Sequence, residues 1–206
     1  MLKLYYWPGT CSIAIHILLE EIGVAYERQT VDLGQKQQYS AEFLAINPKG
    51  KVPALVRGDG SLLTEVPAIA MWLAATAPSF HLVPDDIEGR TRVMEIMSYI
   101  AGTVHIQGAA RAWRPALFST HREEQEAVVA RGREIVLQGL DILSDALDGK
   151  EYLAGEYSIA DPFLFFIEYW AAEKVGYPLP ANIDAHYNGM RKRPAVRRAL
   201  AAEGLA

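Results

Sequence analysis

The sequence predicts two domains, an α/β domain at the N-terminus followed by an all-helical domain. Short apolar runs alternate with helical segments up to about residue 80, which is typical of a layered α/β structure. From residue 84 onward the apolar residues follow a helical period and no strand pattern is found. The 206 residues, 50% of them hydrophobic, suffice for two small domains. We therefore place the first domain at residues 1–79 and the second at residues 85–206.

The first strand and helix of the α/β domain lie on either side of a tight turn. Residues 2–6 are apolar and aromatic and predict a strand. The turn Trp7-Pro8-Gly9-Thr10 follows, and residues 11–22 predict a helix. Gly23 is expected to end this helix as its C-cap.

The rest of the domain contains three more strands and two more helices. The expected strands are residues 24–31, 54–57 and 61–63, and the expected helices are residues 40–46 and 67–77. Ser40 can cap the first of these helices, and Pro67 suits the first turn of the second. Gly58-Asp59-Gly60 between two strands predicts a β-hairpin. The predicted order is therefore β-α-β-α-β-β-α.

The second domain is predicted to be helical throughout. Its expected helices are residues 86–112, 122–147, one beginning at Ser158, and two shorter ones at 183–191 and 195–203. The first of them carries an apolar stripe of Val93, Met97, Ile100 and Val104. Ser158-Ile159-Ala160-Asp161 predicts an N-capping arrangement, with the serine hydroxyl on the Asp161 amide and the aspartate on the serine amide.

The composition excludes several classes of protein. The net charge of -5 argues against a sequence-independent grip on nucleic acid or on anionic membranes. A single cysteine, Cys11, cannot form an intrachain disulfide, and it favours a reducing, cytoplasmic location. The apolar runs are too short to cross a bilayer, and the N-terminus shows no signal-peptide pattern. We expect neither a nucleic-acid nor a membrane partner.

Several segments resemble the cytosolic glutathione transferases, most closely their bacterial beta class. The segments are YYWPGTCS at 5–12, NPKGKVPAL at 47–55, LTE at 63–65, SIAD at 158–161, and RPAV with the terminal AEGL at 193–205. They lie in the family's order and cover essentially the whole chain. The resemblance implies a thioredoxin-like N-terminal domain, a helical second domain and a homodimer. It also implies glutathione as co-substrate, with no other cofactor and no metal.

The NPKGKVPAL segment is the most specific of these. In the family the proline that matches Pro53 follows a cis peptide bond, which is uncommon in proteins. The resemblance implies that this geometry leaves the main chain of Val52 free, so that the cysteinyl backbone of glutathione can pair with it as an added strand.

The charged ends of glutathione require an acid at one end of the site and donors at the other. Glu65 can supply the acid, just before the helix opened by Pro67, where free amides and the helix dipole favour a carboxylate. The family usually has a small residue at Val66, and valine followed by proline removes a hydroxyl and one amide donor. Lys36 and Lys51 are the candidates for the glycyl carboxylate.

Activation of the thiol needs a modest stabilisation of its anion. A free thiol with a pKa near 8.5 is about 3 % thiolate at pH 7, and a shift of about two units requires roughly 2.7 kcal/mol. One good donor plus a helix N-terminus is enough. Tyr5 or Tyr6, Cys11 and Ser12 compete for the donor's role, and the residues alone do not rank them. The resemblance implies that Cys11 sits against the sulfur, with Thr10 and Ser12 assisting.

The helical domain contributes candidates from its first helix. The resemblance implies that His105 faces the active site across the cleft, and Ser98 and Thr103 are the other polar residues that could line it. A hydrophobic pocket for an electrophile could be shaped by Tyr99, Arg111, Trp113 and Arg114.

Three functions fit these observations. The leading hypothesis is an enzyme that binds glutathione, stabilises its thiolate and adds it to a small hydrophobic electrophile in a detoxification reaction. The second is a glutathione-dependent thiol-disulfide oxidoreductase or peroxidase that acts through Cys11. The third is a noncatalytic glutathione transferase-like binding protein, suggested by the unusual Val66-Pro67 pair.

Overall fold

The computed structural model describes residues 1–206 and begins with a four-stranded mixed sheet. The strands are β1 (Leu2–Tyr6), β2 (Tyr26–Thr30), β3 (Ala54–Val56) and β4 (Leu62–Thr64). Their order in the sheet is β2-β1-β3-β4, with β1 parallel to β2 and the other pairs antiparallel. The predicted order of elements is confirmed. The second strand is shorter than expected, because it pairs only where it lies opposite β1.

Helices cover both faces of this sheet. They are α1 (Ser12–Ile22), α2 (Ala41–Ile46) and α3 (Val66–Thr76). Side chains of a strand alternate between the faces, so Leu4 and Tyr6 enter the large core, whereas Tyr5 enters a small core on the opposite face. The predicted end of α1 is confirmed, because Gly23 adopts a left-handed conformation and its amide donates to the carbonyl of Leu19.

The C-terminal region is helical, as predicted. Its α-helices are α4 (Ile87–Tyr99), α5 (Ala110–Trp113), α6 (Gln125–Leu147), α7 (Ala160–Tyr169), α8 (Ala181–Lys192) and α9 (Pro194–Glu203). Short 3₁₀ turns occupy Gln37–Tyr39, Pro78–Phe80, Pro115–Leu117 and Arg122–Glu124. No helix has the length and hydropathy needed to cross a membrane.

The expected single helix over residues 86–112 is corrected by the structure. Its middle, Ile100–Ala109, is wound as a π-helix, and a second π-segment, Trp170–Val175, follows α7. The wider winding is seen where the amide of Ala110 donates to the carbonyl of His105, five residues earlier. The apolar stripe does not reveal this change, because its last two members, Ile100 and Val104, are four residues apart, a spacing close to one turn in either winding.

Glycines let α6 approach the π-segment Ile100–Ala109 and α5 closely. A Cβ atom added at Gly108 would lie 2.8 Å from Cγ2 of Val136, and one added at Gly132 would lie 2.6 Å from the amide nitrogen of Ala112. Each distance is too short for a real side chain, so both positions require glycine as packed. The π-segment is therefore held against α6 almost backbone to backbone.

The capping arrangement before α7 is partly as expected. Asp161 accepts a hydrogen bond from the Ser158 amide at 2.7 Å, as predicted, and a further one from the Leu153 amide at 2.9 Å. The Ser158 hydroxyl accepts from the amide of Ala160 at 3.3 Å rather than from that of Asp161. The Asp161 amide donates instead to the Ser158 carbonyl at 3.2 Å, so it is not available to the hydroxyl.

A buried histidine joins α7 and α8. Nδ1 of His186 lies 2.7 Å from Oε1 of Glu168, and its Nε2 lies 3.4 Å from Oδ1 of Asp161. Burial alone would lower the pKa of His186, but the two carboxylates outweigh it and raise the pKa to about 9.

Candidate functional site

A cleft lies between the sheet domain and the π-segment. The sheet domain contributes Cys11, Asn47, Lys49, Lys51, Val52, Pro53, Thr64, Glu65, Val66 and Pro67, and the helical region contributes Ala101, His105, Ile106 and Phe163. Charged groups thus lie on the first wall, and mostly apolar groups on the second.

The Val52–Pro53 peptide bond at the base of the cleft is cis, as the sequence analysis expected. The carbonyl of Val52 accepts a weak hydrogen bond from the Cys11 thiol at 3.6 Å. The Val52 amide has no acceptor within the protein. The preceding loop is fixed by Asn47, whose side-chain amide donates to the Lys51 carbonyl at 2.7 Å. The main chain before Pro53 is therefore fixed in place, and the Val52 amide is free to donate a hydrogen bond.

Cys11 lies in the cleft immediately before α1. Its side chain is half-buried by surface area. The protein atoms packed around it desolvate the thiolate, which raises the pKa of Cys11 to about 12, although the charges of Arg114 and Lys51 act in the opposite direction. Cys11 is thus a neutral thiol near pH 7 and can donate a hydrogen bond.

The turn that carries Cys11 is fixed by a residue from the far end of the chain. Oε2 of Glu203 accepts from the Gly9 amide at 2.9 Å, and its Oε1 lies 2.8 Å from Nδ1 of His16. The side chains of His16 and Glu203 are fully buried. Sequence reasoning placed Glu203 only in the terminal family segment, because nothing local shows that α9 returns to the turn.

The hydroxyls of Thr10 and Ser12 do not line the cleft, so the structure corrects their expected role. They lie 2.8 Å apart, and both donate to the carbonyl of Trp7, at 2.8 Å and 3.1 Å respectively. Ser12 is also fully buried. Both groups are engaged in closing the turn.

Neither tyrosine at the end of β1 reaches the cleft, which corrects their candidacy as thiol donors. Tyr5 packs in the small core on the other face of the sheet, with its ring 5.8 Å from that of Phe43. Tyr6 packs in the large core, with its ring 5.5 Å from that of His16. Of the competing donors, only Cys11 lines the cleft.

Glu65 stands at the head of α3, as expected, with a left-handed φ of 70°. Its carboxylate pairs with Lys49, whose Nζ lies 2.7 Å from Oε1 of Glu65 and 2.8 Å from Oγ1 of Thr64. Sequence reasoning missed Lys49, although the residue lies within the most specific segment of the chain. Val66 and Pro67 line the cleft beside this ion pair.

The two lysines predicted to bind the glycyl carboxylate, Lys36 and Lys51, lie in different places in the structure. Lys51 lines the cleft, but Lys36 does not. Lys36 is exposed, with a φ of 57°, just before the turn Gln37–Tyr39. That turn approaches the loop of the cleft at Gly50, where an added Cβ atom would lie 3.2 Å from the Gln38 carbonyl oxygen and 3.2 Å from the Tyr39 ring.

His105 lines the cleft from the π-segment, whereas Ser98 and Thr103 do not. The His105 ring packs edge to face on Phe166 at 4.9 Å. Burial, with smaller contributions from the charges of Arg114 and Lys51, lowers the pKa of His105 to about 4. Ser98 is exposed, and Thr103 is only half-buried. The π-winding brings apolar residues beside His105 instead.

The residues proposed for an electrophile pocket do not line the cleft. Trp113 is 51% exposed, and its ring lies 5.8 Å from that of Trp170. The Arg111 guanidinium lies 4.4 Å from the centre of the Phe118 ring. Tyr99 packs against the main core. The charge of Arg114 nevertheless acts on both Cys11 and His105.

Comparisons of the sequence and of the structure with known proteins all find members of the same family. Residues 1–75 match the family model described as the N-terminal domain of glutathione S-transferase. The chain is 37% identical to glutathione S-transferase GstA of Escherichia coli O157:H7, over 99% of this chain and 100% of that protein. It superposes on the bacterial beta class enzyme of Sphingomonas chungbukensis with a TM-score of 0.85, at 35% identity over 99% of this chain and 100% of the other. A sphingomonad glutathione S-transferase complexed with glutathione gives a TM-score of 0.84 at 36% identity, with 99% and 100% of the chains covered.

Proposed function

The chain belongs to the glutathione S-transferase family and is a glutathione transferase, and from this premise we propose which of its residues hold glutathione and activate the thiol. The observation that carries the proposal is the unpaired Val52 amide in the lining of the cleft. It supports pairing between the Val52 main chain and the cysteinyl backbone of glutathione, because the Val52 amide has no acceptor within the protein.

The two ends of glutathione find opposite charges along the cleft. The γ-glutamyl end lies at Glu65, where the carboxylate receives the α-ammonium group and the Val66 amide points from the head of α3. The glycyl carboxylate lies toward Lys51, which lines the same wall. Lys36 joins it only if its exposed side chain turns toward the loop.

Cys11 acts on the glutathione sulfur as a neutral donor. Burial holds the pKa of Cys11 near 12, so its proton stays on its own sulfur while the lower-pKa glutathione thiol ionises. Lys51 and Arg114 add favourable charge, since they stabilise an anion at this point. His105 remains an uncharged imidazole near pH 7, and it orients the substrates rather than supplying positive charge.

The reaction we propose is a conjugation. The glutathione thiolate attacks an electrophilic carbon, a carbon–sulfur bond forms, and the leaving group departs with the bonding electrons. The electrophile lies against Ala101, Ile106 and Phe163 on the helical wall, which favours a small hydrophobic molecule. This arrangement supports a division into a glutathione-binding domain at 1–79 and an electrophile-facing domain at 85–206.

We also propose a homodimer, in which the first domain of one subunit packs on the second domain of its mate. Large apolar side chains lie exposed in both halves, among them Tyr39 at 60% and Ile142 at 45%. Light scattering should return twice the chain mass of 22.8 kDa. The single cysteine supports a reducing, cytoplasmic location. The conjugation of hydrophobic electrophiles supports a role in detoxification.

The thiol-disulfide alternative is not favoured. A nucleophilic cysteine requires a lowered pKa, and the pKa of Cys11 is raised. The chain also offers no second cysteine to resolve a mixed disulfide.

Calorimetric titration with glutathione, followed by turnover of an aryl halide, tests the proposal. We expect the wild type to bind and turn over, and Lys51→Met to raise the Kd for glutathione about three- to tenfold through loss of one carboxylate partner. Lys192→Met is the matched control, because Lys192 is an exposed lysine of α8 outside the cleft. Absence of binding by the wild type, or equal effects of the two substitutions, would contradict the proposed site.

A further inference from the structure

The ion pair between Lys49 and Glu65 occupies the position where the γ-glutamyl head would bind. Nζ of Lys49 bridges Oε1 of Glu65 at 2.7 Å and Oγ1 of Thr64 at 2.8 Å, and all three residues line the cleft. The α-ammonium group of a bound ligand and the Lys49 ammonium group therefore compete for one carboxylate.

The head of α3 has fewer donors than a helix N-terminus usually offers. Pro67 has no amide hydrogen, and Val66 has no side-chain hydroxyl. The donors available beside Glu65 are the Val66 and Ala68 amides, the Thr64 hydroxyl and the Lys49 ammonium group. Only Lys49 carries a positive charge that can neutralise an α-carboxylate.

We propose that Lys49 exchanges partners when the ligand binds and thereby selects a head group that carries both an ammonium and a carboxylate. This inference rests on the proposed function. In the free protein Lys49 neutralises Glu65. When the ligand's ammonium group takes Glu65, Lys49 turns to the ligand's carboxylate, so one ion pair becomes two.

The exposure of the pair permits this exchange. The side chains of Lys49 and Glu65 are 52% and 61% exposed, and an ion pair at that exposure is weak and easily rearranged. A ligand with an ammonium group but no α-carboxylate would displace Lys49 from Glu65 and would give Lys49 no new anionic partner. Lys49 therefore weakens the binding of such a ligand, whereas it strengthens the binding of glutathione.

The test compares two ligands on the full-length protein, glutathione and its analogue that lacks only the α-carboxylate, γ-aminobutyryl-cysteinylglycine. For Lys49→Met, we expect the Kd for glutathione to rise about five- to tenfold, because one charge-assisted contact is lost. The Kd for the analogue should fall about two- to threefold, since its competitor for Glu65 is gone. Lys49→Arg should restore discrimination between the ligands.

Lys192→Met serves as the control, and thermal denaturation of each variant checks that the fold is intact. If Lys49→Met weakens both ligands equally, or changes neither, the assignment of Lys49 is overturned while the proposed glutathione site stands. If the wild type binds neither ligand, the proposed function itself fails, and the inference fails with it.

Discussion

Cys11 should react with iodoacetamide far more slowly than an ordinary cysteine, because alkylation requires the thiolate. The chain contains no other cysteine, so any modification reports on this residue alone. Burial raises the pKa of Cys11 to about 12. The experiment therefore raises the pH and measures the rate of alkylation of Cys11.

The size of the effect follows from the fraction ionised. At pH 8 a thiol with a pKa of about 12 is ionised in about one molecule in ten thousand, whereas a free cysteine is about one-quarter thiolate. The ionised fraction of Cys11 should therefore lie about three orders of magnitude below that of free cysteine. Its alkylation rate should lie about two orders below, because a thiolate of higher pKa is intrinsically more nucleophilic. It should also rise about tenfold for each unit of pH, with no plateau below pH 10.

Mass spectrometry of intact protein, sampled over time at several pH values, measures the rate, and Cys11→Ser provides the unreactive control. Saturating glutathione should slow the reaction further, because the ligand covers the thiol. A rate close to that of free cysteine, or a plateau below pH 8, would refute a neutral Cys11 and would favour a nucleophilic role instead.

Three further predictions concern buried and ionisable groups. Glu203→Ala should lower the free energy of unfolding, measured by urea denaturation, by about 3 kcal/mol. The reason is that it leaves buried His16 and the turn before α1 without a partner. A loss below about 1 kcal/mol would show that the contact is not made. The pKa of His186 is raised to about 9 from 6.5, so the stabilisation that comes from its protonation is lost as the pH rises through 9. Burial raises the pKa of its partner Glu168 to about 7, so the ion pair is fully charged only between about pH 7 and 9. His186→Gln should remove this part of the pH dependence, and an unchanged profile would disprove the pairing. NMR titration of the His105 ring should give a midpoint near pH 4, and a midpoint above 6 would mean that the ring is not desolvated.

Much of the fold was predictable because local sequence signals agreed with one another. Gly23 ends α1, Ser40 caps α2 and the 58–60 turn joins β3 to β4, each through backbone chemistry confined to a few neighbouring residues. The π-winding of Ile100–Ala109 was not predicted. In the structure this segment lies close against α6 at Gly108 and Gly132, a contact that the local periodicity does not reveal.

The site was predictable where a single segment builds it. The NPKGKVPAL segment indicated the cis bond before Pro53, and it contains Lys49, which sequence reasoning passed over. Tyr5 was assigned wrongly because the face to which a strand residue points depends on register. Glu203 could not be found at all, because its partners His16 and Gly9 are nearly the whole chain away.

The most direct test of a glutathione site activated by Cys11 is to titrate the thiol of bound glutathione by the ultraviolet absorbance of its thiolate. Cys11 does not interfere, because its own pKa is raised to about 12. We expect a midpoint about two units below that of free glutathione, and a return toward the free value in Cys11→Ala. A midpoint equal to that of the free thiol in saturated wild-type protein would contradict the proposed activation.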